Sequence, residues 1–116
     1  MSDILVQAAG VLAIAVALLH EYLGETKFFA KVPIAPARAQ RLARAVWLCS
    51  TVAWIAFGAL LILVPMMDSH MARISIIAAS VVVYASGAIG NAWATRGRHY
   101  GWAVLSVVIG LAVAGL

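Results

Sequence analysis

The chain has 116 residues, of which 66% are apolar and 10% charged, with a formal net charge of +4. Soluble domains average about 45–50% apolar and about 25% charged residues. The composition therefore excludes a water-soluble globule, and the length excludes more than one domain. Residues 1–116 read as a single integral membrane domain, all-α, with the lipid bilayer as first partner.

The N-terminus lacks the positive region of a secretory signal, and Ala17-Leu18-Leu19-His20 is a poor cleavage site. The first apolar run, Ile4–Leu23, is thus expected to remain as a transmembrane helix. Only Gln7 is polar before His20. About 20 apolar residues suffice to cross the hydrocarbon core. His20, Glu21 and Glu25 then arrive within six residues. Glu21 and Glu25 lie four apart and share a helix face, with His20 about 100° away. Gly24 is placed to act as the helix stop, which would leave Glu25 in a loop.

The first gap, 24–44, carries Lys27, Lys31, Arg38, Arg41 and Arg44, with Phe28 and Phe29 among them. Pro33 and Pro36 interrupt any continuous helix. Pro36 suits the start of a helix running through Arg38 and Arg41 into the second span, Ala45–Met66. Cys49, the only cysteine, excludes an intrachain disulfide and reads as packing. The second gap, 67–73, has a single basic residue, Arg73.

The third span, Ile74–Ala94, contains Tyr84, which needs a hydroxyl partner, and Asn91, which needs an amide partner such as Ser50, Thr51 or Glu21. Ser86, Gly90 and Ala94 recur at i+4 on one face, the spacing of close helix contact in lipid. The third gap, 95–100, holds Arg96, Arg98 and His99. The fourth span, 101–116, is short. Trp47, Trp93, Tyr100 and Trp102 fall near one interface, as an aromatic belt would.

Four spans place the first and third gaps on one side. That side carries Lys27, Lys31, Arg38, Arg41, Arg44, Arg96 and Arg98, against Arg73 alone on the other. The positive-inside rule makes the first side cytoplasmic, with both termini on the non-cytoplasmic side. The short connections and small-residue stripes predict an antiparallel four-helix bundle. The positive residues occupy gaps between apolar runs, so nucleic acid is not expected as a partner.

The candidate site is a polar cluster at the cytoplasmic side: His20, Glu21, Glu25, Asn91 and His99. Several chemistries compete for it. The carboxylates can pair with Lys27, Arg96 and Arg98 at the interface. Glu21 can serve a proton- or cation-coupled step if it is buried. His20 and His99, on different helices, are the pair that a haem would need. No recognised metal-ligand spacing such as HExxH occurs, so no metal site is expected. The opposite half of the spans is aliphatic apart from Gln7, Ser75 and Ser80, so a through-channel lacks its lining. Any cavity should open toward the cytoplasm.

"LLHEYLGE" and "RGRHYGW" together resemble a family of small four-span bacterial inner-membrane proteins of uncharacterised function. Its His-x-x-Leu-Gly-Glu motif is matched by His20, Leu23, Gly24 and Glu25. Its Gly-Arg-His-x-Gly-Trp motif is matched by Gly97, Arg98, His99, Gly101 and Trp102. Members often carry a histidine after the tryptophan that matches Trp47, where this chain has Leu48. The resemblance implies a multi-pass protein of the bacterial inner membrane and brings no activity with it.

The expected function is a non-enzymatic accessory or assembly subunit, or a self-associating scaffold, within a homo-oligomer or a larger membrane complex. No cofactor is expected. One alternative is a small dimeric proton- or cation-coupled transporter using Glu21. Another is a haem- or metal-binding membrane protein.

Overall fold

A computed structural model describes residues 1–116. It is all-helical, with four helices and no strand. Helix α1 spans Ser2–Leu23 and runs on without a break into a wider, π-type helical segment, Gly24–Phe29. Helix α2 spans Ala37–Leu63 and ends in a 3-10 turn, Val64–Met66. Helix α3 spans His70–Thr95 and α4 spans Gly101–Ala114.

The helices outrun the apolar segments that announce them. α2 starts at Ala37, eight residues before Ala45, and α3 starts at His70, not Ile74. Apolarity marks the stretch suited to lipid, whereas a helix continues as long as its backbone is paired. Pro36 precedes the first residue of α2 with extended backbone, so it starts the helix as its fixed φ favours. Ser69 caps α3, its hydroxyl accepting from the Ala72 N–H at 3.2 Å.

Gly24 corrects one expectation. It is not a left-handed stop. Its φ of −58° and ψ of −50° are right-handed helical, and Glu25 belongs to the continuing helix. The glycine is needed for space instead, because a Cβ there would overlap the indole of Trp47.

α1 is the central helix, packed extensively on α2 and α4, while α3 rests chiefly on α4 and only lightly on α2. The buried side of α1 is Val6, Ala9, Ala13 and Ala17, spaced as one helical face and fully covered. α1 and α2 approach closely at Gly10 and Gly58, where a Cβ on Gly58 would come within 2.9 Å of the Gly10 carbonyl oxygen. Trp54, Leu61, Val64, Ile77, Tyr84, Ala88, Leu105, Val108 and Ala112 complete the core.

The end that carries the termini is closed by Arg73. Its guanidinium donates to Asp3 on α1 at 2.6 Å and to the Gly115 carbonyl after α4 at 2.7 and 3.0 Å. One side chain thereby ties three helices.

Only 20 of 116 residues are buried, and Leu18, Val52, Val82, Ile89 and Val107 are among many large apolar side chains on the outside. Three helices are long and apolar enough to cross a membrane. The fourteen residues of α4 reach only about 21 Å at 1.5 Å per residue, short of a hydrocarbon core of about 30 Å.

Candidate functional site

The end opposite Arg73 holds the C-terminus of α1, the N-terminus of α2 and the turn between α3 and α4. His20, in the last turn of α1, lies parallel to Trp47 of α2, with ring centroids 4.2 Å apart and planes 2° apart. Its other neighbour is Trp54, at 4.6 Å and 41°. The indole N–H of Trp47 donates to the His20 carbonyl at 3.1 Å. Phe28 lies parallel to the same indole at 5.6 Å, and Phe29 meets it edge-on at 5.5 Å. The continuing helix through Gly24 is what brings these two phenylalanines back over α2.

Glu21 and Glu25 turn elsewhere. Glu21 accepts from the Thr51 hydroxyl at 2.7 Å. Glu25 forms a bidentate ion pair with Arg44. Both carboxylates therefore clasp α1 to α2. Their partners are not Lys27, Arg96 or Arg98. A hydroxyl and an arginine on the adjacent helix lie nearer than the basic residues of the far turn.

The α3–α4 turn is wired by side chains. Arg96 and Gly97 take positive φ, 53° and 74°, which reverses the chain. The Trp102 indole donates to the Gly97 carbonyl at 3.0 Å. Asn91 accepts the Trp102 backbone N–H at 3.0 Å through Oδ1. The Gly101 N–H donates to His99 Nδ1 at 3.0 Å. Two backbone donors that the first turn of α4 leaves unpaired are satisfied in this way. Asn91 is thus a cap for α4. It does not reach Ser50, Thr51 or Glu21 on the other helix pair, because these unpaired donors are closer.

This wiring suits one histidine tautomer, inferred from the hydrogen-bond network. Oδ1 of Asn91 is committed to a backbone N–H, so its Nδ2 is the atom 3.3 Å from His99 Nδ1. Nδ1 faces the Gly101 N–H and Asn91 Nδ2, the surroundings of an acceptor. The matching neutral tautomer carries its proton on Nε2, which makes no hydrogen bond within the chain.

Between the two helix pairs lies a cleft of about 630 Å³. His20, Trp47 and Trp54 form its α1–α2 wall, Ser86, Gly90 and Ala94 line the α3 side, and Asn91 and His99 line the far rim. Its floor is the contact of Trp54 with Gly87, where a Cβ would approach the indole to 2.6 Å. Just below, the Tyr84 hydroxyl donates to the Trp54 carbonyl at 2.8 Å, the partner that a mid-span tyrosine requires. No Lys, Arg, Asp or Glu lines the cleft. His20 Nε2 is buried in its wall without a hydrogen-bond partner.

Of the five residues singled out from sequence, His20, Asn91 and His99 meet at this cleft, and Glu21 and Glu25 do not. The stripe of Ser86, Gly90 and Ala94 also takes a different role. It keeps the cleft open rather than bringing helices together, and Gly90 has open space where a Cβ would stand. Two tryptophans were missed. Trp47 was assigned to the interface belt but is caught between α1 and α2. Trp54 was not among the candidate site residues. Its signal was position, since tryptophan favours the interfaces and Trp54 sits well inside its span.

No three His, Cys, Asp or Glu side chains converge in the structure. Cys49 is exposed on the outer face of α2. No family, curated protein or solved structure matches the chain.

Proposed function

We propose that this chain is a multi-pass membrane protein that binds a small apolar ligand in the cleft between α1–α2 and α3–α4. The observation that carries the reading is the cleft itself. Its volume of about 630 Å³ falls within the roughly 300–1,000 Å³ of small-molecule sites. It also combines an apolar lining with a few fixed polar groups, as such sites do.

The bilayer setting draws on the exposed apolar exterior, which water would not tolerate on this scale. The excess of basic residues at the cleft end supports a cytoplasmic orientation for it. The resemblance through the HxxLGE and GRHxGW motifs supports a bacterial inner membrane. The reading assigns no reaction to the cleft.

An accessory or scaffold role keeps one supporting observation. Ser106 and Gly110 are both exposed on one face of α4, with open space at Gly110. A coupled transporter draws less support, because Glu21 is engaged with Thr51 and takes no part in the cleft.

Native mass spectrometry of the protein, released from nanodiscs formed with its own membranes, tests the ligand reading. The expected result is a bound small molecule on the wild-type chain that is lost in Gly90→Leu. Spectra showing only the chain and bulk lipid in both proteins contradict it.

A further inference from the structure

The chemistry of the cleft wall says what kind of molecule it accepts. A charged group entering it would be desolvated without a counter-charge, because no ionised side chain lines it. The ligand is therefore uncharged where it sits. The cleft also has two unlike walls. One wall is the aromatic group of His20, Trp47 and Trp54, and the other is the low wall of Ser86, Gly90 and Ala94. A planar ring can pack edge-to-face or offset against such aromatic groups, and the small residues opposite leave it room.

His99 adds the polar requirement. Its Nδ1 takes the Gly101 N–H and faces Asn91 Nδ2, so Nε2 carries the proton and acts as a donor. A histidine that ligates a metal through Nε2 normally does the reverse, donating its Nδ1–H to a neighbour. The turn thus wires His99 to offer a hydrogen bond and withholds the lone pair that haem iron would need. Asn91 and Gly101 hold the ring by its Nδ1 side, and His99 lines the cleft.

We propose that the ligand of this cleft is an uncharged, flat, membrane-soluble ring bearing a carbonyl acceptor, the chemistry of a quinone headgroup, held by His99 Nε2–H. This deepens the ligand-binding reading above and rests on it.

The test compares decylubiquinone, decylbenzene and hemin, each titrated calorimetrically into the wild-type chain in phosphatidylcholine nanodiscs, with empty nanodiscs as blank. The expected result is saturable binding of the quinone and affinity about tenfold weaker or worse for decylbenzene, the magnitude of one hydrogen bond. His99→Asn keeps an acceptor near the Nδ1 position for the Gly101 N–H but lacks the Nε2 donor. It is expected to weaken the quinone about tenfold and leave decylbenzene unchanged. Equal affinities for quinone and decylbenzene overturn the acceptor requirement while leaving an apolar-ligand site in place. Absence of saturable quinone binding overturns the proposal, and the mass spectra above then decide the broader reading separately. A bis-histidine haem spectrum that His99→Asn abolishes overturns it as well. Should His99→Asn fail to fold, the comparison of the two ligands on the wild-type chain decides alone.

Discussion

The imidazole of His20 lies flat on the indole of Trp47, 4.2 Å between centroids and 2° from parallel. The two residues are joined a second time by the indole N–H on the His20 carbonyl. This pair is where the cleft wall begins, and it depends on α1 staying helical through Gly24. Gly24→Ala places a methyl group into the Trp47 ring. The expected cost is about 1–3 kcal/mol, as for other overpacked sites. A thermal unfolding series in detergent reads it. An unchanged midpoint would show that the indole is not seated there.

Glu21 is expected to be structural. Glu21→Gln retains an acceptor for the Thr51 hydroxyl but loses the charge on it. Hydrogen bonds to charged groups contribute about 1.5–3 kcal/mol, while bonds between membrane helices average nearer 0.6. A stability loss below about 1.5 kcal/mol is expected, together with unaltered ligand binding, because the carboxylate lies outside the cleft. Loss of ligand affinity with stability intact would return Glu21 to the site.

The Glu25–Arg44 pair is half in solvent, with side-chain exposures of 37% and 50%. Pairs of this kind contribute about 0–1 kcal/mol and are screened by salt. Glu25→Gln should therefore shift the unfolding midpoint slightly at low ionic strength, and the shift should vanish at high salt. A large, salt-independent loss would mean that the pair is more enclosed than this.

Asn91 is expected to matter through α4. Asn91→Leu leaves the Trp102 N–H without its acceptor and removes one donor to His99 Nδ1. Loss of a helix cap costs about 0.5–2 kcal/mol. Hydrogen exchange at the Trp102 amide should quicken, while exchange at the Arg73 end of the bundle should not. Uniform change along the chain would argue against a local cap.

The four helices were legible because the chain has little but apolar runs between its polar gaps. The ends of the helices were less legible. Lys27 looks like a loop residue, yet it belongs to a helical segment, since charge does not break backbone pairing. The cluster of His20, Asn91 and His99 was visible as polarity near one interface. The division of Glu21 and Glu25 from it was not, because it depends on Thr51 and Arg44, thirty and nineteen residues away. Ser86, Gly90 and Ala94 are the sharpest case. A stripe of small residues has the same spacing whether a helix or a cavity faces it, and the spacing alone does not decide which.

The most direct test of the cleft is to fill it. Gly90 lines it, and its Cβ position meets no atom within 4 Å. Gly90→Leu should leave the fold intact, and the better helix former should raise stability by about 0.5–1 kcal/mol. Saturable binding of decylubiquinone, measured in nanodiscs beside the wild-type chain, is expected to disappear in this variant while its unfolding midpoint holds or rises. Undiminished affinity in a folded Gly90→Leu protein would contradict the assignment of the cleft as the ligand site.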